Sequence, residues 1–363
     1  MTQLQRWRDP CSTPDPVLTG TQNRRLITTS LKNVVVFLTV IASSLAAAQA
    51  VPTIGLGGAE EGEKSHYRGT SVSYGTSLTA YNYTNEVVAW THRIGLMPEW
   101  HFNNDFHVRS RFFISQELTV SDTTNTRHEI ELSDLWLDGV WGGWREKNTG
   151  IKIAADVRVT LPTSKTSWAA SRLFTLGPGV NVSKSFKVLG GLAFIYSARA
   201  TYRFNRFTTR QNAGGLITNC AGLGVPEACI NTATGSRNIQ FDIIHGPTIS
   251  FSPHERLNIS GTFLLQHGYL SPLSAVDPKY ADAQGLQLEQ GSPDWRNFAA
   301  FSLGVTYTPW DPVSFTLGAF TFANQLDTTG QYIFPLFNRN TVVSLDATFD
   351  IEATVTSLTK EKK

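Results

Sequence analysis

Between Ile239 and Ser252 the chain alternates. Ile239, Phe241, Ile243, Ile249 and Phe251 take odd positions, while Gln240, Asp242, Thr248, Ser250 and Ser252 take even ones. Successive side chains of a strand point to opposite faces, so this is a strip with one apolar and one polar face. The same period returns in segments 68–81, 87–102, 106–118, 131–142, 151–161, 172–183, 187–203, 239–252, 257–267, 298–308, 313–323 and 341–351. The phase slips near Leu135 and Phe320, where a bulge is the expected cause. A chain of this kind is all-β, and its strips need a partner for both faces.

The connections alternate in length. Asn103 to Asp105, Gly142 to Gly150, Lys184 to Phe186, Pro253 to Arg256 and Pro309 to Pro312 are short. The intervening ones are longer, above all 204–238 and 268–297, and Pro162-Thr163-Ser164-Lys165-Thr166-Ser167 reads as a polar loop. Short turns on one side and long loops on the other suit a closed antiparallel barrel that crosses a membrane. Aromatic residues fall near one end of the descending strands: Trp100, Trp141, Phe186, Phe251, Tyr307, Trp310 and Phe349. Tyr81, Tyr83, Trp90, Tyr202 and Tyr269 fall near the other, as rings that favour the interfacial layers do.

The first fifty residues read as a leader. Arg24, Arg25 and Lys32 precede an apolar run from Val34 to Leu45, and Ala46-Ala47-Ala48-Gln49-Ala50 supplies a cleavage site after Ala50. The stretch before Arg24 is an atypical extension for such a signal. Five basic residues (Arg6, Arg8, Arg24, Arg25, Lys32) against two acidic ones (Asp9, Asp15) give the leader +3. A chain of +2 therefore leaves −1 for the remainder, which removes the main support for nucleic-acid binding. Residues 51–65 then form a periplasmic N-terminal segment, 66–351 the barrel, and 352–363 a polar C-terminal tail. Cys220 and Cys229 are expected to form a disulfide, since export brings an oxidising compartment. Two thiols without a nearby His make half a zinc site, so neither a metal nor another cofactor is expected.

Signal peptide, twelve alternating segments, short and long connections and aromatic girdles together resemble a Gram-negative outer-membrane β-barrel, porin-like and of about twelve strands. The resemblance covers nearly all of residues 66–351, and it implies residence in the outer membrane, lipid contact and delivery by the outer-membrane assembly machinery. The stretch Asp294-Trp295-Arg296-Asn297 with Ser302 to Tyr307 is similar to late strands of fatty-acid-transporter barrels, over a few residues of a shorter chain.

Alternation also names the charges that line the interior. They are Arg93 and Glu99; Arg109, Arg111 and Glu117; Asp134 and Asp138; Lys152, Asp156 and Arg158; Arg199 and Arg203; Asp242; and Asp346 and Asp350. Arginines gather on the second, third, fifth and seventh strands and carboxylates on the eighth and twelfth, which predicts opposed walls of charge across a narrow pore. Neighbouring strands can instead pair these charges, with Arg109 or Arg111 meeting Asp138 or Asp134. The expected function is a channel for passive diffusion of small hydrophilic solutes, with a mild preference for anions near the arginines, and not an enzyme. A structural barrel that binds a protein partner or its own copies through the external loops is the alternative. A lipid hydrolase is the third: His92, His245 and His267 fall on outward faces, but no His-x-Ser unit accompanies them.

Overall fold

The computed structural model describes residues 65–80, 89–119, 128–188, 191–211, 233–272, 294–324, 332–338 and 340–360. The leader, the segment up to 64, Tyr81, Tyr83, and Cys220 with Cys229 lie outside the described residues. In chain order the elements are β1 (Ser71–Thr79), β2 (Trp90–Met97), β3 (Glu99–His101), β4 (Phe106–Glu117), β5 (Ile130–Leu132), β6 (Leu135–Arg145) and β7 (Lys152–Leu161). A short helix α1 (Lys165–Ala169) precedes β8 (Arg172–Phe186), β9 (Leu192–Asn205), β10 (Thr209–Gln211) and β11 (Ala233–Arg237). Then follow β12 (Ile239–His254), β13 (Leu257–Leu270), β14 (Trp295–Trp310), β15 (Val313–Asn324), β16 (Val342–Asp350) and a helix α2 (Ile351–Lys360).

All barrel pairings are antiparallel, and β1 pairs with both β2 and β16, which closes the ring. β2 and β3 form one stave, interrupted at Pro98, whose ring has no N–H to give to the ladder. β5 and β6 form another, interrupted at Ser133 and Asp134. The result is a closed antiparallel barrel of 12 strands. β10 and β11 pair only with each other, in the loop between β9 and β12. The expected fold class is therefore the observed one.

Ile94, Leu96, Trp100, Val157, Val180, Ile249, Leu303, Leu317 and Leu345 are exposed on the outside, while Asp138, Asp156, Asp242 and Arg111 are buried within. Trp100, Trp141, Tyr307, Trp310 and Phe349 sit exposed at the short-turn end of this belt. Hydrocarbon offers no hydrogen bonds, so only a closed sheet can cross a membrane without orphaned edges. The pattern of apolar exterior, aromatic rim and polar interior is that of a transmembrane barrel.

Three details depart from the expected phase. Ile239 lies inside, packed with Leu264 against an apolar cluster of Phe298, Ala300, Phe320 and Phe322. The register shifts between Ile239 and Phe241, and this bulge turns the Gln240 amide outward, where it donates to the Tyr202 hydroxyl at 2.7 Å. At Phe320 there is no bulge, because β15 keeps its register with β14 and β16 throughout this region. The apparent slip arises because Phe320 and Phe322 face inward, while Thr321 between them lies on the other face, buried, and bonds Thr341 at 2.8 Å. The other expected slip, near Leu135, is the break at Ser133 and Asp134. A true bulge follows between Trp141 and Trp144, where Gly143 takes φ 95°.

Candidate functional site: a charge ladder inside the barrel

Register brings the inward charges into rows. One row crosses the pairs Glu99–Arg109, Arg109–Asp138, Asp138–Arg158 and Arg158–Gly177, on β3, β4, β6, β7 and β8. On the far side it resumes as Asp242–Gly268 and Gly268–Arg296, on β12, β13 and β14. Glu99 belongs to the short-turn end of its strand and Arg296 to the long-loop end of its own. Barrel strands tilt, so a row perpendicular to them climbs the wall from one mouth to the other.

Along this climb the carboxylates are shared. Asp138 accepts from Arg109 Nε at 2.9 Å and from Arg158 Nε and Nη2 at 2.6 and 2.8 Å. Arg158 also lies over the Trp136 ring at 4.1 Å. Asp156 and Arg199 flank Gly179 in register and meet over it, with Arg199 Nη2 on Asp156 Oδ2 at 2.5 Å. Arg203 pairs with Asp242. Arg93 and Asp346 flank Gly75 in the same manner and meet at 2.8 Å. Glycine recurs beneath these pairs because a side chain there would occupy the space of the ion pair. Near the Gly179 site an added Cβ would lie 2.9 Å from Asp156 Oδ1.

Asp134 has a different place. At the break between β5 and β6 its carboxylate accepts from the Ser164 N–H at 2.9 Å and from Ser167 Oγ at 2.5 Å. Arg172 Nη1 donates to the same Ser167 oxygen at 2.8 Å. This contact docks α1, so the stretch from Pro162 to Ser167 is an ordered shelf, N-capped by Ser164, and not only a polar loop. Arg172 was not among the residues expected from the sequence, nor was Arg237, which holds Ser271 O at 2.6 Å and Asp294 at 2.8 Å. Both stand at strand ends, where alternation gives no signal. Arg111 is buried and registers with Trp136.

The opposed walls of charge do not form. Asp242 and Asp346 are drawn to Arg203 and Arg93 on nearby strands, and the Asp350 carboxylate accepts the Ala353 N–H at the start of α2. Local pairing of opposite charges outweighs a field across the pore because attraction falls with distance. The stretch after β16, expected as a polar tail, is helical up to residue 360. The outward histidines bond Tyr and Asn partners: Tyr74 to His92 at 2.7 Å, Tyr196 to His245 at 2.8 Å, and His267 to Asn297 at 2.8 Å. Ser250 instead bonds Asn258 on the inner face, so these histidines and that serine do not form a hydrolytic dyad.

No protein-family model and no curated protein matches the chain. Among solved structures, an outer-membrane channel from Pseudomonas putida F1 is similar over 80% of this chain and 99% of its own, at 10% identity and a TM-score of 0.47. The NanC porin is similar over 78% and 100%, at 10% identity and a TM-score of 0.40. The transport unit of the autotransporter AIDA-I from Escherichia coli follows, over 87% and 98%, at 10% identity and a TM-score of 0.39. The chain itself, by its closure, its apolar belt and its polar interior, is an outer-membrane β-barrel.

Proposed function

We propose that this barrel is a channel for passive diffusion of small hydrophilic solutes, with a preference for anions. The observation that carries this is an asymmetry within the ion pairs. The carboxylates of Asp138, Asp156 and Asp242 are 1%, 2% and 0% exposed, whereas Arg109, Arg158, Arg199 and Arg203 keep 18%, 15%, 19% and 16%. The acids lie against the wall and the guanidinium groups cover them. A solute in the lumen therefore meets cations first, although the charges nearly balance. Fixed guanidinium donors suit carboxylate and phosphate oxygens, which accept two hydrogen bonds in one plane.

In planar bilayers the purified protein is expected to conduct in steps and to give an anion-selective reversal potential under a salt gradient. A unit charge about 4 Å away in water contributes about 1 kcal/mol, or roughly fivefold in local ion concentration. Arg199→Gln with Arg203→Gln should lower the anion-to-cation permeability ratio by at least about that factor for each arginine removed, since the anion is lost and the cation gained. Low salt is the right condition, because screening weakens such differences. Absence of stepwise conductance would sink the channel; an unchanged ratio in the double variant would sink the arginine lining.

A further inference from the structure

Opposite the arginines the inner wall carries fewer charges, among them Arg296 and the Asp346 that pairs with Arg93, and many small hydroxyl groups. A register row crosses Ser250–Ser260, Ser260–Gly304, Gly304–Gly318, Gly318–Ser344 and Ser344–Ser77, on β12, β13, β14, β15, β16 and β1. Nothing on it is larger than serine, so these side chains take little of the lumen's space. The next row toward the short turns brings Asn258, Thr306 and Thr316 together. Twelve strands put β7 and β15 on opposite sides of the ring, so the hydroxyl wall faces the arginine wall across the lumen.

These hydroxyls and amides are held in place by one another and keep bonding capacity. Asn258 Nδ2 donates to Ser250 Oγ and to Ser252 Oγ, each at 2.8 Å. With both its N–H groups used in this way, its amide oxygen remains as an acceptor. Thr306 bonds Thr316 at 2.9 Å, and Thr248 bonds Thr262 at 2.9 Å. A hydroxyl offers one donor and two acceptor sites, and a single such bond uses one site of each partner. The apolar cluster around Phe298 and Phe322 does not offer a competing greasy surface, since both rings are 1% exposed and packed into their neighbours.

We infer that the solute class is the polyhydroxylated carboxylate, a sugar acid in chemical terms. Its carboxylate runs along the arginines while its hydroxyl groups exchange water for the Ser, Thr and Asn side chains opposite. An apolar acid of the same charge gains only the first contact and loses hydration along the second wall. This assignment rests on the channel reading above and narrows it.

Reversal potentials under bi-ionic conditions test it on the full-length protein in planar bilayers, with sodium gluconate against sodium hexanoate. Both anions carry six carbons and one negative charge. Corrected for free mobility, gluconate is expected to be favoured by roughly threefold or more, the yield of one net hydrogen bond. In a Ser260→Ala, Thr306→Val, Thr316→Val variant the corrected ratio should fall toward one, since these changes remove hydroxyls at nearly constant volume. Heat-modifiable migration on gels reports whether that variant folds, and the wild-type comparison stands without it. A corrected ratio at or below one in the wild type overturns the inference while leaving the channel intact. A wild-type preference that survives in the folded variant overturns the role of the hydroxyl wall. No conductance with either salt overturns the channel itself, and this inference with it.

Discussion

Asp138→Asn is expected to destabilise the barrel on the order of 3 kcal/mol, because it breaks a buried ion cluster from the side of its shared member. Asp138 is 1% exposed and accepts all three bonds from Arg109 and Arg158. Asparagine keeps the shape but replaces one oxygen with an NH2 group. That group donates where the guanidinium groups also donate, so at least one bond becomes a repulsive contact. The two arginines then hold positive charge near each other without the anion that made this favourable. The measurement is the urea midpoint of refolding and unfolding in detergent micelles, with an unchanged m-value. The same variant adds one net positive charge to the lumen, so its reversal potential should move further toward the anion value. A fall in stability without that movement would mean that the ladder is a scaffold which solutes do not feel. A midpoint within error of wild type would mean that the cluster contributes nothing to folding.

The twelve strands were legible because alternation is a local property, repeated wherever one face of a strand meets lipid and the other water. Residues such as Leu303, Val305 and Tyr307 announce their face by position alone. Register is not local. Asp156 and Arg199 stand on strands that do not touch, and they pair only because Gly179 lies between them. Nothing in the sequence near Asp156 marks that partner. The pairing of Asp138 with Arg158 was within reach, since a short turn joins β6 and β7 into a hairpin whose offset is nearly set by turn length. Its other bond, to Arg109, crosses the longer connection from β4 to β6, which leaves the offset open. Phe320 and Phe322 mislead for the opposite reason. They obey the alternation but reverse its polarity, because part of the inner wall near the long loops packs as an apolar cluster and does not face water. The helix after β16 could have been found from Asp350, a good N-cap, and Glu352 in the first turn. Its Thr- and Lys-rich composition hid it.

Gly75→Ala should cost about 1–3 kcal/mol of barrel stability, the usual penalty for a group forced into filled space. The conformation does not demand glycine there; the crossing ion pair does. A Cβ built on Gly75 collides with the Asp346 carboxylate, which sits over the β1 backbone to reach Arg93 from the other side. Asp346 cannot retreat without releasing that pair, and Arg93 is also held over the Phe113 ring at 5.1 Å. Gly304→Ala is the matched comparison, since its Cβ would meet nothing closer than Ser260 Oγ at 3.6 Å. At that site alanine should be neutral or slightly stabilising, because it restricts the unfolded chain without straining the folded one. Both glycines are inward-facing strand residues, and strand propensity alone treats them alike. Opposite outcomes in urea unfolding would therefore isolate the ion pair as the reason for Gly75. Equal outcomes would mean that the Arg93–Asp346 contact relaxes freely, and that glycine beneath it reflects only the need for a wide lumen.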